Sequence, residues 1–286
     1  MRSLVLGGSG IVGGYILERL VARGERPIAV SREIQQSPNV DWLRADLSAP
    51  KALQIEDVGT IYCTAHAKLL ADALPCLITS NLRRVVAFTS TSLETKRDSE
   101  LVEERKYVAA WAEAEAHLIE VCTKSGVGWT VLRPTLIYAE GRDSNVSRIA
   151  QLIQRLRFMP LAGEGLGLRQ PVHAEDLAIG AINAAASPLA INKIYAVPGT
   201  DTVTYYEMVG RIFDGLKLPR RIISIPLELW RLAFLLGRPF IKSANAAMAS
   251  RMGKDMVFDP APAIADFDWK PRPFYPNFCP ETCQRS

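Results

Sequence analysis

Three glycines near the start of the chain are spaced to hold a diphosphate. In Leu6-Gly7-Gly8-Ser9-Gly10-Ile11-Val12-Gly13 the glycines at 7, 10 and 13 follow a short apolar run and open a helical pattern. Gly7 permits a tight turn, Gly10 lets the backbone approach a pyrophosphate, and Gly13 allows the helix to pack closely on the strand. The start of the helix then offers free N–H groups and the positive end of its dipole to the phosphates. A Gly-rich turn that holds nothing is the plain alternative. Against it, strand, helix and second strand all fall within the ~30 residues such a unit needs. Gly7, Gly8, Ser9, Gly10, Ile11, Val12 and Gly13 are therefore the expected contacts to a dinucleotide.

The second strand ends at Val30-Ser31-Arg32, where an NAD site usually carries Asp or Glu for the adenosine ribose. Ser31 and Arg32 offer a hydroxyl and a guanidinium instead, which suits a 2′-phosphate. NADP is the expected cofactor and NAD the second choice; Glu33 is one residue late but within reach, and Arg32 as a solvated surface residue is the alternative. His66 follows the fourth strand at the edge where ligands bind, as a general acid or base or as a solvated loop residue. Arg169 offers a planar fork to an anionic group, or a structural ion pair. His173 reads as a hydrogen-bonded structural residue with Asp176 capping the next helix, and His117 as structural.

These residues need a scaffold, and the periodicity supplies one. Residues 3–6, 27–30, 40–43, 59–63, 84–88 and 128–132 read as strands; residues 11–23 and 100–124 read as helices, closed by Gly24 and Gly126. Such alternation implies an α/β fold, a Rossmann-type doubly wound parallel sheet with helices on both faces. Residues 176–186 and 205–216 look helical and 194–197 like a strand. From Leu218 onward, Pro219, Pro226, Pro239, Pro260 and Pro262 break short helical runs. This reads as a smaller, mostly helical C-terminal substrate cap. The expected division is 1–135 with 172–200 for the dinucleotide and 136–171 with 201–286 for the substrate.

Composition narrows the class. The chain has 286 residues, 48% of them hydrophobic and 22% charged, and a net charge of +4 spread along its length. That is a globular balance, with no concentrated basic face for nucleic acid. Met1 and Arg2 are followed almost at once by the glycine motif, which leaves no room for an apolar signal segment. No run reaches the ~20 apolar residues of a spanning helix; residues 222–236 come nearest and are broken by Pro226, Glu228 and Arg231. Cys63, Cys76, Cys122, Cys279 and Cys283 form no disulfide framework, and the closing pair lacks a second pair to bind metal. A cytoplasmic protein without metal or stable membrane insertion is expected.

Beyond the glycines, several segments occur in a familiar order. Asp46-Leu47 follow the third strand, Thr64-Ala65 the fourth, and Phe88-Thr89-Ser90-Thr91 close the fifth. Leu132-Arg133-Pro134-Thr135-Leu136-Ile137-Tyr138 and Arg169-Gln170-Pro171-Val172-His173-Ala174-Glu175-Asp176 come next, then Phe258-Asp259-Pro260 and Trp269-Lys270-Pro271-Arg272. Over nearly its whole length the chain resembles the extended short-chain dehydrogenase/reductase family, the NAD-dependent epimerases and dehydratases. The resemblance implies that Asp46 and Leu47 contact adenine, that Thr64, Ala65 and Pro134 line the cofactor, and that Thr91 carries the catalytic hydroxyl. It puts substrate contacts at Arg142 and Asp143, and a diphosphate contact at Arg169. A homodimer paired through the long helix is the assembly it implies.

The family's catalytic helix carries Tyr-x-x-x-Lys with a glutamate four residues on. Here the register gives Tyr107, Trp111 and Glu115. Residues four apart share a helix face, so the lysine lowers the tyrosine pKa and holds the nicotinamide ribose. Without it, a phenol with a pKa of ~10 is a poor base at neutral pH. Lys106 points about 100° away around the helix. Tyr107 and Trp111 as packing residues are the alternative, and the short spacing from Thr91 to Tyr107 puts the active-site loop in question. Two functions follow: an NADP-dependent oxidoreductase or epimerase/dehydratase-like enzyme on a small molecule, with Thr91 and Tyr107 catalytic and His66, Arg142 and Arg169 on the substrate; or a non-catalytic NADP(H)-binding redox sensor or accessory protein. A third reading gives the apolar stretch Pro226–Met252 an interaction or membrane-surface role, against a buried cap helix.

Overall fold

Short apolar runs rich in Val, Ile and Leu become the strands of one parallel sheet. The computed structural model describes residues 1–33, 35–49, 53, 55, 57–226, 228 and 253–278. In chain order the first elements are β1 Arg2–Leu6, α1 Ile11–Ala22, β2 Ile28–Ser31, β3 Asp41–Arg44 and β4 Val58–Cys63. They are followed by α2 Ala67–Leu77, β5 Arg84–Phe88, α3 Ser92–Thr95, α4 Val102–Lys124 and β6 Gly128–Pro134. Next come β7 Ile137–Tyr138, α5 Val146–Leu156, β8 Met159–Ala162, β9 Leu168–Arg169, β10 Val172–His173 and α6 Ala174–Ala186. The described elements close with β11 Lys193–Val197, β12 Val203–Thr204, α7 Tyr205–Gly215, β13 Ile222–Ile225 and α8 Ala261–Phe267.

The chain divides into two units, 1–134 with 174–197 and 259–271, and 135–173 with 198–258 and 272–286. In the first, the sheet runs β11-β6-β5-β4-β1-β2-β3 with all pairings parallel. The order reverses between β1 and β4, so the carboxyl ends of these strands form the switch point where open α/β sheets bind ligands. The Gly7–Gly10 turn leaves β1 there, and Thr64-Ala65-His66 leave β4. Leu4, Leu6, Ile61, Val85 and Val131 are fully buried in the core around this sheet. Residues 259–271, read from sequence as part of the substrate half, belong instead with the sheet. Trp269 lies so close to α6 that a side-chain carbon on Gly180 would strike its ring, and Ser187 donates to the carbonyl of Asp266.

The second unit packs α5 and α7 around Tyr138, Ile153, Leu161, Met208 and Phe213. Its strands form three two-stranded pairs, β10-β7, β12-β9 and β13-β8, apart from the main sheet. α5 begins where the Asp143 carboxylate accepts the N–H groups of Asn145 and Ser147, and ends at Arg157 in the left-handed region, φ 63°. No helix among the described residues is long and apolar enough to cross a membrane. All of the 226–252 stretch except Pro226 and Glu228, together with Cys279 and Cys283, lies outside the described residues.

Candidate functional site

The turn after β1 is shaped by what its glycines exclude. Gly7 has φ +85°, and a side-chain carbon there would lie 2.7 Å from Thr64 Oγ1 and 2.8 Å from the Ala65 nitrogen. A carbon on Gly13 would fall on the Gly7 carbonyl, and one on Gly8 would meet Leu17, Ala29 and Trp42. The turn closes through Gly10 N–H to Gly7 O at 2.9 Å. Thr64 Oγ1 donates to the same Gly7 oxygen at 3.0 Å. Gly10 caps α1 without a side chain, and the first turn contains no acidic residue. The first-turn amides are thus left for an anion rather than spent on a cap. This bare-backbone cradle fits a dinucleotide diphosphate, with residues 7–13, Thr64 and Ala65 around it; Ser9 is exposed and Val12 buried.

At the adenosine corner the structure adds a residue. Ser31 is buried and its hydroxyl accepts the Glu33 N–H, which leaves the hydroxyl proton to give. Arg32 is exposed. Arg44 pairs in register with Ser31, so β3 brings a second guanidinium to this end of the sheet. Sequence reading missed Arg44, because only the β2–β3 register sets it beside Ser31. Asp46 is exposed; hydrogen bonds from the Ser48 N–H and hydroxyl hold its carboxyl below the usual range, and Arg32 adds to this. Leu47 is buried in the core beside it.

The hydroxyl run after β5 is divided three ways. Thr89 donates to Glu115 at 2.8 Å. Thr91 is 6% exposed and donates to Pro134 O at 3.0 Å, so the expected catalytic hydroxyl has its proton committed inside the unit. Ser90, which register arguments passed over, accepts the Ser92 N–H at 3.0 Å and keeps its own proton. Glu115, one turn beyond Trp111, binds Arg133, whose other arm holds Glu94 at 2.8 Å. Burial works against the Arg133 charge, and the two carboxylates outweigh it and raise its proton affinity.

Tyr107 is 53% exposed. Its ring makes edge contacts with His66 at 5.8 Å and Trp111 at 5.4 Å between centroids. Lys106 pairs with Glu103 at 3.6 Å. His66 caps α2, its Nδ1 accepting the Lys68 N–H at 3.3 Å.

In the second unit, Arg142 is exposed in the loop after β7, and Asp143 is spent on the start of α5. Arg169 is 5% exposed; it donates to the carbonyls of Leu168 and Lys254, both at 2.7 Å, and its guanidinium lies over Tyr205. Held inside the unit, it anchors the backbone of residues 168 and 254. His173 is buried with its Nε2 3.3 Å from Glu140, the structural role expected of it. Asp176 lies within the first turn of α6 rather than at its cap, and His117 is exposed on α4. Among the described residues no cluster of three or more His, Cys, Asp or Glu side chains could hold a metal ion.

No family model matches the chain. Among curated relatives, a UDP-glucose 4-epimerase of Vibrio cholerae is 20% identical over 94% of this chain and 90% of its own. A 2-alkyl-3-oxoalkanoate reductase of Stenotrophomonas maltophilia (strain K279a) is 24% identical over 95% of both chains. An Arabidopsis thaliana mitochondrial NADH dehydrogenase [ubiquinone] 1 alpha subcomplex subunit 9 is 21% identical over 79% of this chain and 60% of its own. Of solved structures, a Thermotoga maritima UDP-glucose 4-epimerase with UDP-glucose superposes at a TM-score of 0.72, with 14% identity over 95% of this chain and 94% of the other. MoeE5 in complex with UDP-glucose and NAD gives 0.72, with 16% identity over 96% and 94%. The resemblance read in the motifs thus holds: relatives named as an epimerase and a reductase, and structural neighbours from the NAD-dependent epimerase/dehydratase group, are what this chain is similar to.

Proposed function

We propose that the chain binds a nicotinamide dinucleotide across Gly7–Gly13 and exchanges hydride with a small carbonyl or hydroxyl compound. The observation that carries this reading is the turn at the switch point, where Gly7 and Gly13 leave no room for side chains and α1 starts without a cap. A nicotinamide dinucleotide, when bound, supplies the hydride acceptor or donor. The first-turn amides of α1 take its diphosphate. Ser31, Arg32 and Arg44 favour a 2′-phosphate, so NADP(H) is preferred to NAD, although solved neighbours hold NAD. Tyr107 and Ser90 carry the hydroxyls whose protons are available to a reacting oxygen. Thr91 supports Ser90 by fixing the end of β6.

The test is turnover. Purified protein with NADPH, NADH and their oxidised forms is offered a panel of 3-oxoalkanoates and nucleotide sugars, the classes named for the relatives, together with 3-oxoesters. Hydride exchange with a panel member, faster with the phosphorylated cofactor, is the expected result. Tight cofactor binding with no turnover across the panel would leave the second reading, a non-catalytic NADP(H)-binding sensor or accessory protein. Trp111 in the lysine position favours that reading, as does similarity to a respiratory-complex subunit.

A further inference from the structure

Three aromatic rings meet at the position the lysine would occupy. The Trp111 indole lies nearly parallel to the His66 imidazole, 5.4 Å between centroids and 14° between planes, and Tyr107 sets its edge against both. We infer that Trp111 is the seat of His66, and that His66, so seated, is a fixed N–H donor to the carbonyl oxygen of a small substrate. The inference rests on the hydride-exchange reading above and adds to it the donor that the lost lysine leaves wanting.

Position comes first. His66 leaves β4 at the switch point, and the two residues before it wrap Gly7, whose absent side chain would strike Thr64 Oγ1 and the Ala65 nitrogen. The backbone that presents the imidazole is therefore fixed to the diphosphate turn. The protonation pattern comes next. Nδ1 accepts the Lys68 N–H, and an accepting ring nitrogen carries no hydrogen, so the neutral ring holds its proton on Nε2. The cap bond fixes one edge of the ring and the stack fixes its plane.

Charge balance explains why such a donor is useful. Arg133, the guanidinium bound to this face of α4, is shared by Glu94 and Glu115, so it brings no net positive charge. A preorganised neutral donor stabilises an oxygen that becomes negative without requiring a cation. The Trp111 Nε1 is buried and makes no hydrogen bond among the described residues, so the indole contributes its face. His66 keeps its proton throughout; no bond is made or broken at the ring. In this arrangement Trp111 is a positioning residue.

Nitrogen-15 NMR on protein labelled at its three histidines, with H66N to assign the signal, reads the tautomer without any turnover. The Nε2–H form is expected in wild type and W111F; in W111A the unseated ring turns out of the Lys68 N–H bond, and a mixture of tautomers is expected. A wild-type Nδ1–H form, or W111A with the wild-type pattern, would overturn the inference. The second arm measures NADPH-dependent reduction of the fastest carbonyl in the panel. H66N retains a good helix cap; it should lower kcat by about a hundredfold, and W111A by less, with the NADPH dissociation constant within about twofold for both, and W111F should recover most of the W111A loss. Wild-type turnover that H66N leaves untouched would sink the donor role alone. No wild-type turnover would sink the hydride-exchange reading and the donor role with it, and the tautomer measurement would still decide whether Trp111 seats the ring.

Discussion

A side-chain carbon on Gly13 would fall on the carbonyl of Gly7, one turn of chain away. That contact is backbone on backbone, and no side-chain rotation relieves it. G13A should therefore force the first turn of α1 away from the loop. NADPH affinity is expected to fall by about 1.4 kcal/mol or more, a factor of about ten, with a lower melting temperature, as read by calorimetry and thermal denaturation of the same preparation.

Arg32 and Arg44 stand at the ends of adjacent strands, the latter paired with Ser31. Removing both guanidiniums in R32A/R44A should weaken NADPH binding by about 1.5–3 kcal/mol, the range for hydrogen bonds to charged groups. NADH lacks the 2′-phosphate and should change by less than about twofold. Equal losses for both cofactors would show that the arginines do not meet that phosphate.

Ser90 and Thr91 are expected to separate cleanly. T91V removes a buried hydroxyl whose proton goes to Pro134, so it should cost about 1 kcal/mol of stability and leave turnover within a few-fold. S90A should keep the melting temperature and lower kcat by about a hundredfold, the scale of a lost donor at a reacting oxygen. The reverse pattern would restore Thr91 as the catalytic hydroxyl.

Burial pushes the Glu140 carboxyl up, but the hydrogen bond from His173 and backbone N–H groups outweigh it and hold the carboxyl below its ordinary range. A folded pKa below the unfolded value contributes stability that is present above the unfolded pKa and lost as pH falls through the folded one. E140Q should thus be less stable than wild type at pH 7 by about 1 kcal/mol. The gap should narrow in urea melts as the pH is taken down through and below the ordinary carboxylate range.

The first half of the fold was legible because its signals are local. The glycine turn, the apolar runs of β1, β2, β4 and β5 and the glycines closing α1 and α4 all act within a few residues of themselves. α2 escaped notice because Pro75 sits inside its final turn, where a proline ordinarily marks a break. β8 and β13 were missed because each is made a strand only by pairing with the other. The candidate site shows the same division. Residues 7–13 were readable from spacing. Arg44 beside Ser31 depends on strand register, and the exchange of roles between Ser90 and Thr91 depends on the carbonyl of Pro134. The stack of His66 on Trp111 joins residues 45 positions apart and exists only once α4 packs beside α2.

The most direct measurement is a titration of isotope-labelled protein with NADPH, following the backbone amides of residues 7–13. Saturable shifts in the Ile11, Val12 and Gly13 amides, larger with NADPH than with NADH at equal concentration and absent in G13A, are the expected result. Saturating concentrations of both dinucleotides that leave those amides unmoved would show that the cradle holds no diphosphate.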